Sequence, residues 1–369
     1  MNSLPTEIHG GRVFEAAAAL KRPWYEIIDF SANINPLGQP RGLKRALFED
    51  FERSLHYPEL RAESLTRRLA EIKDLSPAHF LMGAGSTPHL HLLAHALAPE
   101  RAVIIGPAFA EYEAALERFG LRPTYVLTRE KDDWLPTRET LDELFKKNPN
   151  AVFLANPANP TGRLTPGEIM IELVDECRRR DILLIVDEAF IDFTEKGRSL
   201  LPLTARNQKL VVLRSLTKIF ALPGLRLAYL AAHPSLVSRL AQLAEPWSLS
   251  CQAISAGHFC LAKDNIKTNT LKGLRIFRKH MLGDLNALNL GKIYPSEANF
   301  ILLRLKDRLK PQALLDHLFR DGILVRDASN FNGLKPGYLR LAIRPLEEIN
   351  SLTVSLKGFL AEAGHLPSK

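Results

Sequence analysis

The sequence predicts an α/β protein in which a large unit on a mostly parallel sheet precedes a smaller α+β unit. Two patterns carry this. Between about residues 100 and 232, short apolar, β-branched runs alternate with amphipathic stretches. Continuous apolar strands alternating with helices indicate a sheet covered on both faces. After about Cys260 the alternation stops, and a long basic helical stretch leads into a mixture of strands and helices.

The strand candidates are Val103–Gly106, Thr124–Leu127, Val152–Ala155, Leu183–Asp187, Leu210–Ser215 and Leu227–Ala231, with a shorter apolar run at Phe80–Met82. Helical periodicity marks Glu111–Phe119, Arg138–Lys147 and Pro166–Arg180 between them. In the second unit the basic helix covers Asn265–Leu285. Strands follow at Phe300–Leu305, Ile323–Arg326 and Tyr338–Ile343, with helices at Pro311–Arg320 and Leu346–Ala363. The first 40 residues are dense in turn formers (Gly10-Gly11, Asn33, Asn35-Pro36, Gly38) and are expected to pack against the smaller unit. The expected division is therefore 1–40 as an N-terminal segment, 41–262 as the large unit and 263–369 as the small one.

A chain of 369 residues holds about two domains at roughly 150 residues each. With 46% hydrophobic and 24% charged residues, it is neither disordered, collagenous nor coiled coil. The three cysteines, Cys177, Cys251 and Cys260, are too few and too scattered for a disulfide scaffold or a cysteine zinc site, so a reducing cytoplasm is expected. Glu7, His9 and Arg12 stand where a signal peptide would be apolar, and no apolar run is long enough to span a bilayer, so no membrane partner is expected. The net charge of +8 favours anionic partners. Its longest basic run, Arg178-Arg179-Arg180, ends a helical pattern and reads as a solvated face, which leaves small anions such as phosphates rather than nucleic acid. His91 and His95 have zinc-like spacing beside His89, but no third ligand is evident, and no metal is expected.

Chemistry is expected at the strand ends. Ser215-Leu216-Thr217-Lys218 directly follows an apolar strand, with Gly224 and Arg226 beyond it. Burial near another cation lowers a lysine pKa and suits it to imine chemistry. Asn156-Pro157-Ala158-Asn159-Pro160-Thr161-Gly162 also ends a strand, and could equally be a plain tight turn. Asp187 closes a third strand, as a helix cap or as the partner of a buried cation such as a pyridinium. Gly83-Ala84-Gly85-Ser86-Thr87 opens a helix, where glycines, hydroxyls and free amides can cradle a phosphate.

Taken in order, the cradle, Phe109, Asn159, Asp187, Lys218 and Arg226 resemble the fold-type I pyridoxal-phosphate enzymes of the class I and II aminotransferase group, over nearly the whole chain. The resemblance implies a seven-stranded sheet and pyridoxal 5′-phosphate as cofactor. It implies Lys218 as the residue bonded to the cofactor aldehyde, Asp187 on the pyridine nitrogen and Asn159 on the 3′-oxygen. Ser86, Thr87, Ser215 and Arg226 would bind the cofactor phosphate, and Phe109 would stack on the ring. Tyr57, in His56-Tyr57-Pro58, matches a tyrosine that reaches the neighbouring subunit's cofactor, which implies a homodimer with shared sites. Arg340 matches the arginine that clamps a substrate carboxylate.

Within the group the chain is similar to the histidinol-phosphate aminotransferases and, more closely, to the threonine-phosphate decarboxylases. The decarboxylase likeness lies in His9-Gly10-Gly11 with Asp29–Gly38, in Phe109-Ala110-Glu111-Tyr112, and in Asp187–Phe193. Aminotransferases usually carry tyrosine at the Phe190 position. Its hydroxyl would hydrogen-bond the cofactor 3′-oxygen, so with Phe190 the cofactor–lysine imine is expected to stay protonated to higher pH. The likeness implies conversion of L-threonine O-3-phosphate to (R)-1-amino-2-propanol O-2-phosphate and CO2, on the nucleotide-loop side of cobalamin biosynthesis. His9, Asn33, Asn159, Arg326, Arg340 and Arg344 are the candidate substrate contacts. Asn330, in Asp327-Ala328-Ser329-Asn330-Phe331, lies in another such stretch without an evident role. Ser86-Thr87-Pro88 and Ser250 depart from the relatives' usual residues. The alternatives are an aminotransferase acting on histidinol phosphate, and a cofactor-binding transcription factor. The latter would carry an added DNA-binding unit where this chain starts almost at once with the enzyme-like segment.

Overall fold

A computed structural model describes residues 9–362 and Gly364. Glu7, with the rest of residues 1–8, and Ala363 lie outside the described residues. The central sheet has seven strands, in spatial order Phe80–Gly83, Ala228–Ala232, Leu210–Ser215, Leu183–Asp187, Ala151–Ala155, Ala102–Gly106 and Thr124–Leu127. The pairings are parallel except for those of Ala228–Ala232, which runs against both neighbours.

Both faces are covered, as the apolar runs require. Val152, Leu154, Val186 and Val212 point into one core; Phe153, Ile185, Val211 and Leu213 point into another on the opposite face. The strand expected at Leu227–Ala231 starts one residue later. The Leu227 carbonyl instead accepts the amides of Leu216 and Thr217, tying the strand to the turn that carries Lys218.

The C-terminal elements form a four-stranded antiparallel sheet in the order Arg326–Asp327, Tyr338–Ala342, Phe300–Leu305, Gly291–Ile293. The single strand expected at Ile323–Arg326 is divided by Val325. Ile323–Leu324 pairs in parallel with Ile28–Asp29 of the N-terminal segment, and Arg326–Asp327 pairs with Tyr338–Ala342. The Ala342 amide donates to the Phe30 carbonyl at 2.8 Å, so the N-terminal segment joins this sheet region. From there it crosses to the large sheet, where the Asn35 amide donates to the Lys218 carbonyl. Among the described residues no helix is long and apolar enough to cross a membrane.

Candidate active site

Parallel sheets open their ligand crevice beyond the carboxyl ends of the strands. Here Asp187 and Ser215 are the last residues of adjacent strands, and Asn159 follows the next strand, Ala151–Ala155. All three line one cavity with Lys218 and Arg226, closed on the far side by Arg326 and Arg340 of the C-terminal sheet. Ser86 and Thr87 line it after the edge strand Phe80–Gly83, Phe109 after Ala102–Gly106, and His9 and Asn33 from the N-terminal segment.

Lys218 sits in the short helix Leu216–Ile219. Burial, and then the Arg340 and Arg226 guanidinium groups, pull its amine down from 10.5 to about 8. The shift raises the neutral fraction near physiological pH, and the neutral amine is the form that attacks an aldehyde. Burial pushes the Asp187 carboxyl up, opposed by hydrogen bonds from the Ala189 amide to Oδ1 and from the Tyr112 hydroxyl to Oδ2, each 2.9 Å. A carboxylate in that state is stabilised by a cation brought into the cavity.

The cradle forms where Gly85 adopts φ +100° before the helix Ser86–Leu97. A Cβ on Gly85 would sit at a strained positive φ and 2.4 Å from Nη2 of Arg226, so a side chain here would displace this guanidinium from the helix N-terminus. The Ser215 and Thr217 hydroxyls stand 2.7 Å apart on the same side of the cavity.

Arg340 is held from two sides. Its Nη1 donates to Asn159 Oδ1 and its Nη2 to the Ser31 carbonyl, both at 2.6 Å, and its buried Nε has no partner. Because Asn159 spends its oxygen on Arg340, its amide nitrogen is the end left to donate. Arg326 and Arg340 are directly opposite one another across an antiparallel pair. Like charges so placed repel, and burial together with Arg326 pushes the Arg340 guanidinium down. An anion between them would relieve both. Asn33 adds two buried side-chain atoms, Nδ2 and Oδ1, with no partner at all, which is costly unless a ligand satisfies them.

Arg344 does not line this cavity, and Tyr57, expected to reach the neighbouring subunit's cofactor, does not line that of its own chain. Arg344 was expected to contact the substrate. Instead it directs Nε and Nη2 to Glu348 at 2.7 and 3.1 Å, because Glu348 lies one turn into the helix Leu346–Glu362 that follows it. Tyr57 is 83% exposed and packs against Trp247, with ring centroids 5.1 Å apart. Ser250, where relatives have asparagine, caps the helix Cys251–Leu261 by accepting the Ala253 amide at 3.1 Å.

Sequence reasoning noted Tyr112 only within Phe109-Ala110-Glu111-Tyr112 and gave it no role on Asp187; its place in the first turn of the helix Glu111–Glu117 was the available signal. It also missed the Ser31 carbonyl, which no residue pattern announces. Phe190 lines the cavity and meets Phe300 edge-on at 5.0 Å, presenting no hydrogen-bonding group.

A lysine of lowered basicity, a buried carboxylate short of a cation, and a glycine-opened anion cradle with arginine and hydroxyls fit pyridoxal phosphate end to end. Fold and site together define a pyridoxal-phosphate-dependent enzyme of fold type I. The chain belongs to the family of class I and II aminotransferases, whose pattern matches residues 25–356. It is 36% identical to the threonine-phosphate decarboxylase of Salmonella typhimurium, over 95% of this chain and 96% of that one. It is 30% identical to a histidinol-phosphate aminotransferase of Caldanaerobacter subterraneus subsp. tengcongensis, over 98% and 99%. The solved L-threonine-O-3-phosphate decarboxylase of Porphyromonas gingivalis superposes with a TM-score of 0.81 at 27% identity, covering 91% of this chain and all of that one.

Proposed function

We propose that this enzyme decarboxylates L-threonine O-3-phosphate to (R)-1-amino-2-propanol O-2-phosphate and CO2, as a cytoplasmic step that supplies cobalamin biosynthesis. The observation that carries this reading is the opposed pair Arg326 and Arg340 in the wall of the Lys218 cavity. Two guanidinium groups suit a substrate with two anionic ends, one carboxylate and one phosphate. The activity of the Salmonella relative supports the same substrate, and so does the absence of a hydroxyl on Phe190.

Bound pyridoxal phosphate supplies an electron sink that takes up the pair released when a bond to Cα breaks. The protein decides which bond that is. Arg340, fixed by Asn159 and Ser31, is assigned the carboxylate; Arg326, with His9 nearby, is assigned the phosphate. Held at both ends, the substrate would be oriented so that its Cα–carboxylate bond is the one broken, with CO2 as the leaving group. Asp187 holds the proton on the cofactor's ring nitrogen, and Tyr112 and the Ala189 amide hold Asp187 in place. Lys218 would be the residue that holds the cofactor, and its amine would be the group placed to deliver a proton at Cα. His9 Nε2 lies 2.9 Å from Glu111 Oε1, which keeps its ring against Phe109 at the cavity mouth.

A homodimer is part of the proposal. Phe48, Phe51, Leu55 and Tyr57 are each more than 60% exposed and cluster in sequence next to the Trp247 contact. Apolar groups so grouped mark an interaction surface, and Tyr57 is assigned to the partner's cofactor. The function is tested by incubating the cofactor-loaded enzyme with L-threonine O-3-phosphate and no keto acid. Stoichiometric CO2 and the amino-propanol phosphate are expected. Amino transfer from histidinol phosphate to 2-oxoglutarate, with no CO2 from threonine phosphate, would instead make it an aminotransferase.

A further inference from the structure

We infer that Glu130 of the large unit is a positioning residue for substrate binding, which acts through the strand Tyr338–Ala342 to place Arg340; this rests on the assignment of Arg340 to the substrate carboxylate. Glu130 opens the short 3₁₀ turn Glu130–Asp132, just beyond the edge strand Thr124–Leu127 of the large sheet. The amides of Asp132 and Trp134 donate to the Arg129 carbonyl at 3.1 and 3.0 Å and close the turn. It delivers two side chains to the C-terminal sheet. Trp134, 5% exposed, meets Tyr294 and Tyr338 edge-on, with ring centroids 6.1 and 5.9 Å away. The Glu130 carboxylate accepts the Tyr294 hydroxyl on Oε1 at 2.5 Å and the Tyr338 hydroxyl on Oε2 at 2.9 Å. Arg304 Nη1 donates to both oxygens at 3.2 Å.

One carboxylate of the large unit thus gathers donors from three neighbouring strands of the C-terminal sheet. Arg304 and Tyr338 are directly opposite across an antiparallel pair, and Tyr294 follows Gly291–Ile293 with its amide on the Leu302 carbonyl. The two phenol rings stack at 6.2 Å with 21° between their planes, which brings both hydroxyls to the same group. Burial raises both phenol pKa values, so each hydroxyl keeps the proton it donates. The Tyr294 hydroxyl leads in holding the Glu130 carboxyl below its usual range, so the group facing them is an anion. Arg340 lies two residues beyond Tyr338, and side chains two apart on a strand share a face. Asn159 and the Ser31 carbonyl orient its guanidinium; Glu130 fixes the strand from which it reaches. Glu130 does not itself line the cavity, and Asp187, Ser215 and Lys218, which would hold the cofactor, lie at strand ends of the large sheet. The substrate end of the site depends on this latch and the cofactor end does not.

The test uses the cofactor-loaded enzyme and its Glu130→Ala, Glu130→Gln, Tyr338→Phe and Arg340→Ala variants, with Glu130→Ala and Arg340→Ala also combined. Dissociation constants for L-threonine O-3-phosphate are read from the cofactor's absorbance on rapid mixing. Those for pyridoxal phosphate are read from its return to the cofactor-free proteins, and KM and kcat are measured alongside. Glu130→Ala is expected to weaken the substrate about tenfold, the scale of a hydrogen bond to a charged group, and to raise KM more than it lowers kcat. Cofactor affinity should stay within about twofold of the parent, which a general loosening of the fold would not allow. Glu130→Gln keeps an acceptor and should recover most of the loss. Tyr338→Phe keeps the ring packing and should lose about threefold through its one missing bond. In the Arg340→Ala background, Glu130→Ala should cost less than about twofold further, because its effect runs through that arginine. Unchanged substrate affinity in Glu130→Ala, equal losses for substrate and cofactor, or an undiminished loss without Arg340 would overturn the role of Glu130. Unchanged substrate affinity in Arg340→Ala alone would overturn the carboxylate assignment itself, which separates the two failures.

Discussion

Lys218 concentrates the chemistry at the scale of single residues. Its amine is expected to titrate near pH 8 and not near 10.5, because it is buried beside two guanidinium groups. The rate at which the cofactor-free protein captures pyridoxal phosphate should therefore rise to half its plateau near pH 8. A rate still climbing steeply above pH 9 would contradict this. The same shift makes the cofactor-free fold more stable as pH rises from about 8 towards 10.5, since over that window the unfolded chain carries the additional proton. Phe190 offers a second check on the holoenzyme. Phe190→Tyr restores a donor towards the cofactor's 3′-oxygen, and the pH midpoint of the visible absorbance should fall by about one unit, the worth of one hydrogen bond. An unchanged midpoint would mean that the missing hydroxyl does not set the cofactor's protonation. These residues were legible in the sequence because each sits at a strand end with a distinctive neighbour. The contacts that orient them were not. Ser31 acts through its carbonyl, and charge alone does not reveal that Arg344 pairs with Glu348 four residues on.

At the scale of elements, the sheet positions the site by where its strands stop. Asp187 and Ser215 end neighbouring parallel strands, and the residues beside them are locked together beneath the cavity. Arg214 bonds Glu188 Oε2 at 3.2 Å and also pairs with Asp192, with Arg214 and Glu188 both buried. Losing one member of such a pair is costly, since it leaves the other charge buried alone. The helix N-terminus at Ser86 depends in the same way on a single residue. Gly85→Ala forces a side chain into φ +100° and against Arg226, and should weaken pyridoxal phosphate at least about tenfold while the fold remains intact. Cofactor affinity within twofold of the parent would show that Arg226 does not need that approach. Strand positions were legible to within a residue or so because both faces are apolar. The antiparallel run of Ala228–Ala232 was not, since a strand buried on both faces looks alike in either direction. The division at Val325 was also hidden, because the two halves pair with partners almost 300 residues and about 13 residues away.

Across the whole molecule, the cavity lies where three parts of the chain meet: strand ends of the large sheet, the cross-strand arginines of the C-terminal sheet, and the N-terminal segment that carries Ser31 and Asn33. That segment pairs with Ile323–Leu324 and also bonds the Lys218 turn, where Asn35 Nδ2 reaches the Ile219 carbonyl at 2.7 Å. If Tyr57 completes a neighbouring site, mixing inactive Lys218→Ala and Tyr57→Phe subunits should yield hybrid dimers with one site free of both substitutions. Their cofactor affinity at that site should match the parent's, and sedimentation should report a dimer; a monomer of full activity would contradict shared sites. The central claim is that the Cα–carboxylate bond breaks while the Cα–H bond survives. It is tested most directly with L-threonine O-3-phosphate carrying deuterium at Cα, supplied together with 2-oxoglutarate. The predicted result is an amino-propanol phosphate that keeps the deuterium, formed with no primary isotope effect and matched mole for mole by CO2. Loss of the deuterium with a primary isotope effect and glutamate formation would contradict it and identify proton abstraction, the chemistry of an aminotransferase.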